Sequence, residues 1–162
     1  NSDIDMLPMN RKYYTENIKN IENNKFVYMR NVLLNAKEIA MCYNVATPNI
    51  WTSIFNITSL QDIKERLITV YEQNQYADIH GGKGWNLDQL HLYQKVMQWN
   101  SITNNFVILN DYSTGYYRLD RVRFLFNQTT INDIKYGKYS DYHCLRPYNQ
   151  YKDINETIYD LL

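Results

Sequence analysis

Two cysteines, three prolines and five glycines are all that the 162 residues contain of these types. Two thiols cannot build the disulfide framework of a small secreted domain. A single bond between Cys42 and Cys144 is the most they allow, and free buried thiols are the simpler expectation. So little Gly and Pro excludes Gly/Ser linkers and low-complexity tracts, and no internal repeat divides the chain. An excess of one charge is missing as well. The 17 Lys and Arg balance 17 Asp and Glu, which argues against non-specific binding to nucleic acid or an anionic membrane surface. No apolar run approaches the ~20 residues of a membrane span, and the opening has no signal-peptide pattern. These two absences favour the cytoplasm as the compartment.

The rest of the composition is that of a globular domain: 44% hydrophobic and 21% charged residues, enough to bury a core in about one domain's length of chain. Tyr occurs 16 times and Asn 21 times. With so much Asn, the sequons at Asn56, Asn127 and Asn155 arise by chance and carry no inference of secretion. The chain starts abruptly on Asn1-Ser2-Asp3-Ile4-Asp5. Residues 1–162 are therefore expected to form a single domain or domain half, a fragment or processed product of something longer.

Hydrophobic spacing predicts helices alternating with short strands, hence α/β. Ser2 to Met9 reads as a strand end turning at Pro8, Tyr14 to Asn23 as a short helix, and Phe26 to Met29 as a strand. Asn31 to Ala40 fits helix or strand equally. Thr47-Pro48 starts a helix, with Pro at the first helical position. Ser59 to Gln73 is the strongest helix, opened by a capping-box-like Ser59 and Asp62. A glycine loop, His80-Gly81-Gly82-Lys83-Gly84-Trp85, leads into a helix from Asn86 whose predicted buried stripe is Leu87, Leu90, Tyr93 and Met97. Phe106 to Leu109 has the continuous apolar character of a buried strand. A further strand is expected at Arg123 to Phe126, and a closing helix over Asp153 to Leu162.

Three segments carry chemistry. In an extended chain Asp3 and Asp5 project to one face, and two such carboxylates suit a hard divalent cation. Gly81 to Gln89 combines glycines that permit close backbone approach, an indole able to stack on a sugar, and Asp88 and Gln89 in a helix's first turn. Ser140-Asp141-Tyr142-His143-Cys144-Leu145-Arg146-Pro147 offers an imidazole, a common metal ligand, and a cation. No C-x2-C or H-x3-H spacing supports structural zinc. Each segment also has a plain structural reading: a turn or cap for the aspartates, a core Trp85 above a dipole-favoured Asp88, and a hydrogen-bonded His143.

In this order the three segments resemble the later part of a nucleotide-sugar-dependent glycosyltransferase of the GT-A type. The resemblance implies the later part of a GT-A-like, Rossmann-like mixed sheet with flanking helices, without the nucleotide-binding units that come first. It further implies Mn2+ or Mg2+ held by Asp3, Asp5 and His143 against the donor diphosphate, with Asp5 the more direct ligand. Asp88 would bind donor-sugar hydroxyls and Gln89 would lie near the anomeric carbon. Gly82, Lys83, Gly84, Trp85 and Arg146 would serve donor or acceptor binding, and the stretch Thr114 to Arg121 the acceptor. The implied partners are a nucleotide-sugar donor and a sugar or protein acceptor, with no nucleic acid and no membrane span. The alternative expectation, from the 15% aromatic content, is a non-catalytic carbohydrate- or protein-binding module.

Overall fold

The computed structural model describes residues 5–74, 77, 79, 81–121 and 126–162. In chain order the elements are β1 (Met6–Pro8), α1 (Arg11–Glu16), β2 (Phe26–Tyr28), β3 (Asn44–Val45), α2 (Pro48–Phe55), α3 (Leu60–Gln73), α4 (Leu87–Thr103), β4 (Phe106–Ile108), α5 (Asp111–Thr114), β5 (Tyr117–Leu119), α6 (Gln128–Lys135), β6 (Tyr139–His143) and α7 (Tyr148–Asp160). The mixed α/β character expected from the spacing is present. It is distributed over two compact units, one of residues 22–109 and one of 2–21 with 110–162, each with a three-stranded mixed sheet.

In the second of these units the strand order is β1-β6-β5, with β1 antiparallel and β5 parallel to β6. Pro8 fits because it lies on an edge strand. The neighbouring Asp5 carbonyl and Met9 N–H carry the bonds to Cys144 and Ser140 at 2.8 and 2.9 Å, so a missing donor between them costs nothing. Leu119, Tyr142, Ile134 and Ile158 form the core, with Leu7, Met9, Cys144 and Ile154 packed against it. Asn155 fastens the β6–α7 corner. Its Oδ1 accepts from the Tyr142 hydroxyl at 2.9 Å and the Leu145 N–H at 3.0 Å, and its Nδ2 donates to the Leu145 carbonyl. That buried role removes the sequon at Asn155 from solvent. At Gly137, φ is +67° and a Cβ would meet the Asn10 side chain at 2.7 Å, so only glycine fits the turn before β6.

In the unit of residues 22–109 the order is β3-β2-β4. The central β2 is buried throughout. Phe26 meets Trp51 and Phe106 edge-on at centroid distances of 5.2 and 5.8 Å, a geometry that adds to the gain from apolar burial. Trp51 and Tyr43 are thus accounted for by packing, Tyr43 through its contacts with the buried Arg30. Phe106 to Ile108 is a half-buried edge strand and not the buried strand expected, because β2 takes the central place. On α4 the buried stripe is Leu92, Val96 and Trp99, not Leu87, Leu90, Tyr93 and Met97. Trp99 Nε1 donates to Ser53 Oγ at 3.0 Å and fixes that face toward α2.

Other boundaries moved. The first helix is Arg11–Glu16, three residues earlier than expected, because Asn10 caps it by accepting from the Lys12 N–H. Residues 31–40 resolve to a 3-10 turn at Leu34–Ala36. The closing helix runs from Tyr148 to Asp160, so it begins five residues before the expected Asp153. The expected strand at Arg123 to Phe126 falls mainly outside the described residues, as do Asp3 and His80.

Candidate functional site

The β1–β6 ladder brings two of the three chemical segments together. Met6 stands opposite His143 and Pro8 opposite Asp141. The Cys144 N–H donates to the Asp5 carbonyl at 2.8 Å, which extends the register by one step. Directly opposed residues share a face, and successive residues alternate. The alternation puts Asp5 with Cys144 and Leu7 on the side of the Tyr142 core. His143 and Asp141 take the other side, where the imidazole Nε2 lies 3.8 Å from a carboxylate oxygen of the fully buried Asp141.

Two guanidiniums converge on the Asp5 carboxylate. Arg146 Nε is 3.1 Å from Oδ2 and Arg121 Nη1 is 3.6 Å from the same oxygen. Arg121 also donates to the Cys144 carbonyl at 3.1 Å, which anchors it to the strand. Among the described residues, two guanidiniums thus share the one Asp5 carboxylate oxygen. Half of the Arg146 side chain remains exposed. The Cys144 thiol is held above its ordinary range, first by burial and then by the Asp5 carboxylate, so it is a poor nucleophile at neutral pH.

The glycine loop lies in the unit of residues 22–109. Gly81 and Gly84 adopt φ of +72° and +83°, the left-handed region in which a side chain is strained. A Cβ on Gly82 would meet Ile79 Cγ1 at 2.6 Å. Lys83 and Trp85 are exposed, the indole at 45% of its surface, so the reading of Trp85 as a core residue is replaced by an accessible ring. Asn86 is the N-cap of α4, yet its side chain makes no capping bond. Its Nδ2 donates instead to Glu38 Oε1 at 2.5 Å. Asp88 is exposed and accepts from the Gln89 N–H at 2.8 Å, while the Gln89 carbonyl accepts from the Ile39 N–H. Glu38 and the turn after Leu34–Ala36 therefore support the start of α4 from below. Glu38 and Arg121 carried no motif of their own in the sequence, and only the fold makes them neighbours of the candidate residues.

Asp5 and His143 offer the oxygen and nitrogen donors that Mn2+ or Mg2+ accepts. As arranged, the described residues do not fit a bound ion. Asp5 is neutralised by arginines, His143 occupies the opposite face of the ladder, and no three His, Cys, Asp or Glu converge among the described residues. Among those residues no helix is long and apolar enough to cross a membrane. No protein-family model, curated protein or solved structure matches the chain.

Proposed function

We propose that this chain is a catalytic part of a glycosyltransferase that moves a sugar from a nucleotide-sugar donor to a sugar or protein acceptor. The observation that supports this reading is the β1–β6 ladder. It joins the Asp-x-Asp segment to the Asp-Tyr-His segment and gathers the Arg121 and Arg146 guanidiniums around Asp5. As the glycosidic bond breaks, negative charge grows on the departing diphosphate. Arginine guanidiniums that fork onto phosphate oxygens stabilise that charge where water is partly displaced. Asp5 holds both guanidiniums in place and gives them up to the more highly charged diphosphate. Asp88 and Gln89 take the donor-sugar roles, Asp88 on hydroxyls and Gln89 beside the anomeric carbon. The exposed Trp85 supplies a stacking face and Lys83 a further cation. Mn2+ or Mg2+ is no part of this reading, because two guanidiniums hold the Asp5 carboxylate and His143 stands on the other face of the ladder.

The test is hydrolysis of UDP- and GDP-sugars by the protein, measured with and without added divalent cation. Arg146→Gln is expected to lower turnover by roughly 100-fold, the scale of removing one donor to a developing anion. Unchanged turnover would remove Arg146 from the site. Glycan binding that survives EDTA, with no sugar-nucleotide turnover, would favour the non-catalytic binding module, for which the exposed rings of Tyr112 and Tyr117 in the unit of residues 2–21 and 110–162 supply aromatic surface.

A further inference from the structure

A second polar cavity lies between α3 and α4, within the unit of residues 22–109 and away from the glycine loop's own residues. It encloses about 680 Å³ and is lined from α3 by Arg66, Thr69 and Gln73 and from α4 by His91, Gln94 and Lys95. The spacing explains the lining. Positions 66, 69, 70 and 73 form one face of α3, and 87, 90, 91 and 94 one face of α4. The core stripe of α4 at Leu92, Val96 and Trp99 leaves that face free. Cations and amides here stand beside the apolar Val70, Leu87 and Leu90 of the same faces. Arg66 and Lys95 also form the wall of an adjoining cavity of about 430 Å³ between α2, α3 and α4. Among the described residues, neither lining contains an Asp or Glu. Arg66 donates to the Asn56 carbonyl at 3.2 Å, a neutral partner that leaves its charge unbalanced.

We propose that the α3–α4 cleft binds a small phosphate ester of sugar size, its phosphate held by Arg66, His91 and Lys95. Its hydroxyls meet Thr69, Gln73 and Gln94. Guanidinium, ammonium and imidazolium are the side chains that grip a tetrahedral dianion through charge-assisted hydrogen bonds. The volume exceeds what inorganic phosphate needs and falls in the range of small-molecule sites. The charged groups facing His91 are Arg66 from α3 and Lys95 from its own helix, while Phe55 of α2 places its ring 6.0 Å away. Burial first, and then Lys95 and Arg66, hold the His91 imidazole below its ordinary value. A bound dianion reverses the sign of that field and favours the protonated ring.

The test is a titration of the 162-residue chain with glucose 6-phosphate, and separately with inorganic phosphate and glucose, followed by the His91 ring resonances. Saturable shifts are expected with glucose 6-phosphate and more weakly with phosphate, with the His91 titration midpoint moving upward on binding. Glucose alone is expected to leave the ring unmoved. Lys95→Gln should weaken binding about tenfold, the scale of one charge-assisted hydrogen bond, and Arg66→Gln similarly. Arg146→Gln should leave it unchanged, which separates this site from the donor site proposed above. Absence of a saturable His91 response, equal affinity in Lys95→Gln, or loss of binding in Arg146→Gln would each overturn the proposal.

Discussion

Two guanidiniums, Arg121 and Arg146, meet the Asp5 carboxylate. An ion pair with a half-exposed Arg146 is worth about 0–1 kcal/mol, because water screens it and two long side chains must be ordered. Asp5→Asn is accordingly expected to shift the urea midpoint by less than about 1 kcal/mol of unfolding free energy. A larger loss would make the carboxylate a structural residue first. Asp5, His143 and Arg146 were legible in the sequence because their short motifs carry chemistry on their face. Arg121 was legible only as one polar residue among several in Thr114 to Arg121, since what singles it out is the Cys144 carbonyl it reaches across 23 positions.

At the scale of elements, legibility followed hydrophobic spacing. α3, with its Ser59–Asp62 capping box, formed where the local pattern put it. Its apolar residues nevertheless face outward, with Leu67 at 64% and Tyr71 at 73% exposure. Periodicity reports a stripe but not whether a partner covers it. The central strand β6 was hidden for the opposite reason. Ser140, Asp141 and His143 are polar and yet buried, and the Ser140 hydroxyl is satisfied by the Tyr117 carbonyl at 3.1 Å. Polar residues on a central strand defeat a pattern reading and are what a functional strand tolerates. α6 has only Ile131 and Ile134 to announce it, and Asn127 supplies its cap. The β6–α7 corner depends on one side chain. Asn155→Ala, which strips partners from the Tyr142 hydroxyl and both polar groups of the Leu145 backbone, is expected to cost about 3 kcal/mol in chemical denaturation. A cost below about 1 kcal/mol would mean that water replaces the amide without loss.

Over the whole molecule, the two sheets each draw on strands far apart in sequence, β1 with β6 and β2 with β4. Reading the chain in order shows alternation of helix and strand but not the partition into two units, since the second closes around both ends of the sequence. One global property follows from His91. Its folded-state value lies below the ordinary 6.5, so the unfolded chain takes up the proton first. Stability from this group is full above pH 6.5 and is lost as the pH falls through the lower folded value. Denaturation midpoints at pH 7.5 and 5.5 should therefore differ, and His91→Gln should reduce the difference. An undiminished difference in that variant would assign the pH response to other groups. The central claim concerns chemistry at the β1–β6 ladder, and its most direct measurement is sugar-nucleotide hydrolysis by the protein with and without Arg146→Gln. The account predicts turnover that falls by roughly 100-fold in the variant; turnover unaffected by removing the Arg146 guanidinium would contradict it.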